Sequence, residues 1–245
     1  METPLKPSEL FPKTVLRFRT SSYKNRQSPK GGYWGLSSLL EGPLSIFWYN
    51  GEMLLGEVSN ILKRGGVGVL PTDTLYGIVG SALRRKTVER VYKLRKRNPK
   101  KPFIVLIGSM LDVQRFGVAL DNKTSSALRV LWPGPVSVIL PATQKRFTYL
   151  HRGTKTIAFR LPRSEALRQL LKKTGPLVAP SANREGEPPA KTIAGARAYF
   201  GEDVDFYVAG GRRDAPPSTL IELRAGRAVV LRAGALSARV RKMLQ

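Results

Sequence analysis

Along most of the chain apolar and polar residues recur with clear periods, and the period changes at turn residues. Between Met53 and Arg64, the positions Leu54, Leu55, Val58, Ile61 and Leu62 follow helical spacing, which predicts a helix ended by Gly65-Gly66. The apolar run Val67–Leu70 predicts a short buried strand, and Thr72–Gly80 reads as a loop carrying Gly77 and Gly80. Helical spacing returns over Thr87–Arg95, Ser125–Leu131, Ser164–Lys173, Thr192–Phe200 and Ser237–Leu244. Pro133-Gly134-Pro135 stops the Ser125–Leu131 helix, while Ser164 is placed as an N-cap and Gly175 follows the helix that it starts. Strands are predicted at Phe103–Ile107, Val136–Leu140, Thr156–Leu161, Leu177–Ala179, Phe206–Ala209, Thr219–Leu223 and Ala228–Leu231. This irregular alternation predicts an α/β or α+β layer fold with a mixed sheet, not a simple doubly wound one.

Residues 1–50 depart from the pattern. They are rich in Ser, Pro, Gly, Lys and Arg, and Ser21–Gly32 reads as loop. Leu36–Tyr49 is too aromatic for a pure linker; it docks on the body or forms a short strand. The expected organisation is a basic, poorly ordered extension over residues 1–50 and a single domain over residues 51–245.

Composition narrows the classes. A length of 245 residues suits one domain with an appendage. There is no cysteine, which excludes a disulfide framework, a thiolate zinc site and a cysteine nucleophile. The formal net charge of +25, from 42 Lys+Arg against 17 Asp+Glu, favours polyanionic partners: nucleotides, RNA or an anionic surface. No apolar run reaches the roughly 20 residues that span a bilayer, and the start has no secretory pattern. A soluble cytoplasmic protein without membrane contact is expected.

Three segments carry candidate chemistry. Leu94-Arg-Lys-Arg-Asn-Pro-Lys-Lys-Pro102 concentrates cations between a helix and a strand, on a backbone stiffened by Pro99 and Pro102. Such a loop suits a polyphosphate, since Arg pairs with phosphate oxygens in bidentate fashion and Lys adds a compact charge; a solvated or RNA-binding basic loop is the plain alternative. Leu177–Asn183 runs from a strand into a turn where Ala179 and Ala182 let a ligand approach and Ser181 and Asn183 offer hydrogen bonds. If the following segment opens as a helix, its N–H groups add anion affinity. Leu70–Gly77 offers Thr72, Asp73 and Thr74 as a polar floor for a small substrate or a magnesium site, or as an ordinary turn. The only histidine, His151, lies in a basic loop and reads as a surface residue. No Gly-x-x-x-x-Gly-Lys-Ser/Thr loop, Gly-x-Ser-x-Gly elbow or metal-ligand spacing of His and Cys is present.

Taken in order, Gly65–Gly77, Arg95–Pro102, Trp132–Ser137, Ala158–Pro162, Ala179–Asn183, Pro217–Leu220 and Leu231–Gly234 resemble the YrdC family of threonylcarbamoyl-AMP synthases, in its short form without a C-terminal extension. The resemblance implies a twisted mixed sheet around a basic cavity. It implies an enzyme that combines L-threonine, bicarbonate and ATP, with Mg2+ accompanying the nucleotide, into threonylcarbamoyl-AMP and pyrophosphate. Partner proteins then transfer the threonylcarbamoyl group to adenosine 37 of tRNA, and the basic surface suits RNA contact. Position by position, Thr74, Arg160, Ser218 and the backbone around Ala179 correspond to threonine-binding sites. Arg97, Lys101, Thr156, Ser181, Asn183 and Arg232 correspond to nucleotide-binding sites, and Arg95, Arg97 and Lys101 to the cations beside the reacting phosphates. Arg95 stands where the family has lysine, so Arg95, Lys93 or Lys96 fills that role. Leu106 replaces a polar residue, and Ala233 follows Arg232 where proline is usual. The alternative reading is a non-catalytic module of the same fold that binds double-stranded RNA.

Overall fold

The computed structural model describes residues 44–47, 55–224 and 227–236. Ten strands form one mixed sheet: β1 (Leu44–Phe47), β2 (Val67–Pro71), β3 (Tyr76–Ser81), β4 (Ile104–Leu106), β5 (Val136–Pro141), β6 (Thr156–Arg160), β7 (Leu177–Val178), β8 (Phe206–Ala209), β9 (Thr219–Arg224) and β10 (Arg227–Arg232). Their order across the sheet is β1-β8-β2-β3-β7-β4-β6-β5-β9-β10. The helices are α1 (Leu55–Lys63), α2 (Arg85–Leu94), α3 (Asn122–Leu131), α4 (Thr148–His151), α5 (Glu165–Thr174) and α6 (Ile193–Phe200).

Strand alternation divides the apolar residues between two cores. Val67 and Val69 of β2, Tyr76 and Ile78 of β3, Val105 of β4 and Val178 of β7 face a large core that also takes Val88 and Val91 of α2, Leu128 of α3 and Phe200 of α6. Leu70, Val79, Leu106, Leu177, Phe206 and Val208 point to the opposite face, where Val58 and Leu62 of α1 and Leu167, Leu170 and Leu171 of α5 cover them. Helices on both faces explain why β2 and β3 are buried at every position rather than alternately. Gly68 permits a close approach here: a Cβ at this position would lie 2.4 Å from the Phe206 ring of the paired strand β8.

The side-chain caps fit the helix starts. Ser164 Oγ accepts from Leu167 N–H at 3.3 Å, and Thr192 Oγ1 accepts from Gly195 N–H at 3.2 Å. The helix expected from Ser125 begins earlier, because Asp121 accepts from Thr124 N–H at 2.6 Å and captures an extra turn. The expected loop Thr72–Gly80 is instead the turn and second strand of a β2–β3 hairpin, with Gly77 and Gly80 inside β3, paired to Leu70 and Val67. Glycine lowered the strand signal there, although the backbone ladder needs no side chain. His151 is also corrected. It ends the short helix α4 and is buried, with Nδ1 accepting from Gly153 N–H at 3.2 Å. The Leu36–Tyr49 stretch contributes β1, which pairs in parallel with β8, so the sheet edge begins before residue 51. The expected helix over residues 237–244 lies outside the described residues.

Candidate active site

The second face of the sheet is not covered throughout. The α1–α5 layer ends over β4, and beyond it β6, β5 and β9 present Thr156, Ala158, Arg160, Ile139 and Leu220 to a cavity of about 510 Å³. The intervening residues Ile157, Phe159, Val138 and Ile221 point into the large core. The period-two pattern thus serves two purposes in the same strands: one set of residues seals the core, while the alternate set, Thr156, Ala158 and Arg160 with Ile139 and Leu220, lines a site. Thr74, Arg95, Arg97, Ala179, Ser181, Ser218 and Arg232 complete the wall from loops and strand ends.

The β2–β3 turn builds one side. Thr72 Oγ1 donates to Leu75 O at 2.7 Å and accepts from Thr74 N–H at 3.2 Å, which fixes the turn. Thr74 Oγ1 then receives Arg160 Nη1 at 3.2 Å, and Asp73 Oδ1 pairs with Arg160 Nη2 at 2.8 Å. Asp73 Oδ2 accepts from Arg163 N–H at 3.0 Å, so both its oxygens are committed. The pair is buried, as a guanidinium inside a protein requires. Arg160 Nε is left without a protein partner. Across the sheet, Ser218 Oγ lies 3.0 Å from Ser137 Oγ and 3.2 Å from Arg232 Nη2.

The opposite side joins the basic loop to the turn after β7. Arg95 is buried and donates from Nε to Asn183 O at 2.9 Å, and from Nη2 to Asn183 Oδ1 at 3.1 Å and Ser181 Oγ at 3.4 Å. Its Nη1 has no partner. Asn183 Nδ2 donates to Arg184 O and Glu187 O at 2.8 and 2.7 Å. Asn183 is therefore a scaffold for Arg95 behind the wall and does not line the cavity. The turn does not open a helix; α6 starts at Ile193, and the anion affinity expected from helix N–H groups at Asn183 is absent. Arg97 lies over the Phe103 ring, 5.2 Å from its centroid, and donates from Nε to Lys101 O at 3.1 Å.

Nine of the eleven residues expected at the site line this one cavity. Lys101 and Asn183 do not; Lys101 Nζ instead pairs with Glu185 at 2.7 Å. Lys93 and Lys96, the alternatives to Arg95, are exposed and also lie outside the wall. Leu106 is under α5 in the second core. Sequence reasoning missed Glu185, Ser137 and the closing role of Asp73, all of which act through partners far along the chain. Thr154 and Pro189, also part of the wall, carried no local signal.

Among the described residues, four guanidiniums and no carboxylate line the cavity. Burial lowers Arg95 to about 10, repulsion from Arg97 adds to the fall, and Glu185 opposes it. Arg160 is likewise pushed down by burial, with Asp73 opposing and Arg232 adding. Burial and then Arg97 lower Arg232. These groups remain charged, so their mutual repulsion is relieved by an anion placed among them.

Comparison with known proteins agrees with this architecture. Residues 60–234 match the Sua5–YciO–YrdC family model, described as telomere recombination. A threonylcarbamoyl-AMP synthase of Nitrosococcus oceani is 34% identical over 172 residues, 69% of this chain and 91% of that protein. A threonylcarbamoyl-AMP synthase of Thiobacillus denitrificans is 34% identical over 176 residues, 70% of this chain and 91% of that protein. Among solved structures, a double-substituted P. abyssi Sua5 has a TM-score of 0.72 at 26% identity; the match covers 79% of this chain and 58% of that one. E. coli YciO shares the fold with a TM-score of 0.69 at 23% identity, over 81% of this chain and 98% of that one. With the family-model match extending over residues 60–234 and a relative 34% identical over 69% of the chain, the protein belongs to the Sua5–YciO–YrdC family.

Proposed function

We propose that this protein is an L-threonylcarbamoyladenylate synthase, a nucleotidyltransferase that makes threonylcarbamoyl-AMP, water and pyrophosphate from L-threonine, bicarbonate and ATP. The observation that carries the reading is the cavity itself: four guanidiniums without a lining carboxylate, beside the Thr74 and Ser218 hydroxyls. A phosphate-binding surface alone has no use for a buried hydroxyl pocket, which is why the enzyme is favoured over the RNA-binding module. The relatives named threonylcarbamoyl-AMP synthase point the same way.

In this reading Arg160 meets the threonine carboxylate, and Thr74, Ser218 and the backbone at Ala179 hold the rest of the amino acid. Arg97, Arg232, Thr156 and Ser181 receive the nucleotide. The neutral amine of threonine attacks carbon dioxide derived from bicarbonate. A carbamate oxygen then forms a bond to the α-phosphorus, and the bond from that phosphorus to the bridging oxygen of pyrophosphate breaks. Charge gathers on carbamate and phosphates throughout, so positioning and fixed cations suffice without a histidine or cysteine. Mg2+ enters as Mg·ATP, held through its phosphates; Asp73 is already committed, and no cluster of three or more His, Cys, Asp or Glu residues is present among the described residues. The product feeds tRNA modification through separate transfer proteins. In this reading the exposed Arg85, Lys86 and Lys93 of α2 offer cations to RNA phosphates. No helix among the described residues is long and apolar enough to cross a membrane, and a cytoplasmic site of action completes the proposal.

The deciding experiment is a pyrophosphate assay in which each substrate is left out in turn, with the nucleotide product weighed by mass spectrometry. Pyrophosphate appears only with all three substrates. Release that ignores threonine would overturn the substrate assignment.

A further inference from the structure

Glu185 is a carboxylate that touches both phosphate-side segments. Its backbone N–H donates to Arg95 O at 2.8 Å. Its Oε2 accepts from Asn98 N–H at 2.5 Å, and its Oε1 pairs with Lys101 Nζ at 2.7 Å. The pair with Lys101 and the Asn98 N–H hold its carboxyl below the ordinary range, so it is ionised at neutral pH. Lys101 is thereby neutralised at the end of a loop from which Arg95 and Arg97 face the cavity. The two contacts of the carboxylate differ in kind. The one to Asn98 ties backbone to side chain and sets the loop. The one to Lys101 joins two long side chains, the lysine 59% exposed, and such pairs in water are worth at most about 1 kcal/mol.

We propose that Glu185 is a positioning residue that holds Lys101 in the ligand-free protein and surrenders it to the triphosphate of the incoming nucleotide, while keeping its grip on the Asn98 N–H. The inference rests on the nucleotide reading of the cavity. The physical basis is competition: a phosphate chain carries several charges and meets Arg97 and Arg232 with Arg95 beside them, whereas Glu185 offers one charge in a solvated setting. Holding Lys101 also spares the empty loop a further uncompensated cation beside Arg97. The exchange therefore costs little and supplies a further cation only when its anion is present.

The test is a double-mutant cycle on the full-length protein: wild type, Glu185→Gln, Lys101→Met and the double variant, titrated calorimetrically at low salt with inorganic tripolyphosphate and with Mg·ATP. Glutamine keeps an acceptor for Asn98 but removes the charge that competes for Lys101. The expected result is about threefold tighter binding of both ligands by Glu185→Gln, a factor in the range of an exposed ion pair. In the Lys101→Met background the same change leaves affinity within about 1.5-fold. A structural clamp alone would not produce that dependence on Lys101. Unchanged or weaker binding by Glu185→Gln overturns the proposal. So does tightening that persists without Lys101, since it reports only the loss of one negative charge. If Glu185→Gln does not fold, the wild type decides: the Lys101 side-chain nitrogen resonance shifts on adding tripolyphosphate if the partner changes, and stays in place if it does not. A protein that passes these tests but forms no pyrophosphate from the three substrates would end the functional reading and leave the exchange standing.

Discussion

At the scale of single residues, the cavity separates contacts that hold the protein together from groups left for a ligand. Arg160 serves both ends: Nη1 and Nη2 are fixed by Thr74 and Asp73, while Nε has no partner. Removing Arg160 strands a buried carboxylate, which costs ~3 kcal/mol. Arg160→Ala is therefore expected to lower the melting temperature and to abolish threonine-dependent turnover together. Thr74→Ala deletes one hydroxyl and strands Arg160 Nη1 but leaves the Asp73 pair, so it should raise the KM for threonine about tenfold and lower the melting temperature less than Arg160→Ala does. Arg97→Ala is expected to weaken ATP binding at least tenfold, because it removes a charge that faces the cavity, while leaving threonine binding alone. Equal effects of Thr74→Ala and Arg97→Ala on both substrates would contradict the division of the cavity. The phosphate-side cations were legible as a basic run, yet the run itself did not tell Arg95, which is buried against Asn183, from Lys96, which is exposed. That distinction depends on the turn after β7, more than 80 positions away.

At the scale of elements, the close pairing of β2 with β8 explains a requirement that local pattern does not show. Gly68 faces the ring of Phe206, and any Cβ there forces one strand aside. Gly68→Ala should destabilise the protein by about 2 kcal/mol, seen as a fall in melting temperature of several degrees by calorimetry. An unchanged transition would mean that the strands do not meet as described. The helices were read well from sequence because their periods and caps are local: Ser164 and Thr192 do what their positions imply. The β2–β3 hairpin was read only in half. Gly77 and Gly80 look like loop residues until the ladder with Leu70 and Val67 shows that the backbone, not the side chain, makes the contact. His151 was misread for a related reason: its neighbours along the chain are polar and basic, while its neighbours in space bury it.

At the scale of the whole molecule, one sheet with unequal cover produces the site. Helices α1 and α5 close the second face over the β8-to-β4 part, and the cavity occupies the β6–β5–β9 part. Cations from β6, β10 and the loop after α2 then converge without a lining carboxylate. A polyanion that binds the native state alone should stabilise it by mass action, so pyrophosphate at a hundred times its Kd is expected to add about 2.7 kcal/mol. Differential scanning fluorimetry at rising salt should show the gain shrinking as the charges are screened; a salt-independent gain would point away from the guanidinium cluster. The parallel pairing of β1 with β8 carries a further expectation. Deleting residues 1–43 should leave pyrophosphate formation intact, because every described cavity residue lies beyond them. Deleting residues 1–50 should lower the melting temperature by exposing the β8 edge.

The sequence by itself determined the alternation of elements, the N-cap of α5, the basic loop and the ordered segments that resemble the family. Those features depend on residues within a few positions of one another, where period, turn chemistry and charge act directly. Tertiary structure decided which face of β6 and β9 would line a cavity, that Asn183 would support Arg95 from behind the wall, and that Lys101 would rest on Glu185. Each of those outcomes sets a charge or a polar atom against a partner brought by another part of the sheet. Burial and pairing at that distance depend on the packed fold and leave no period along the chain.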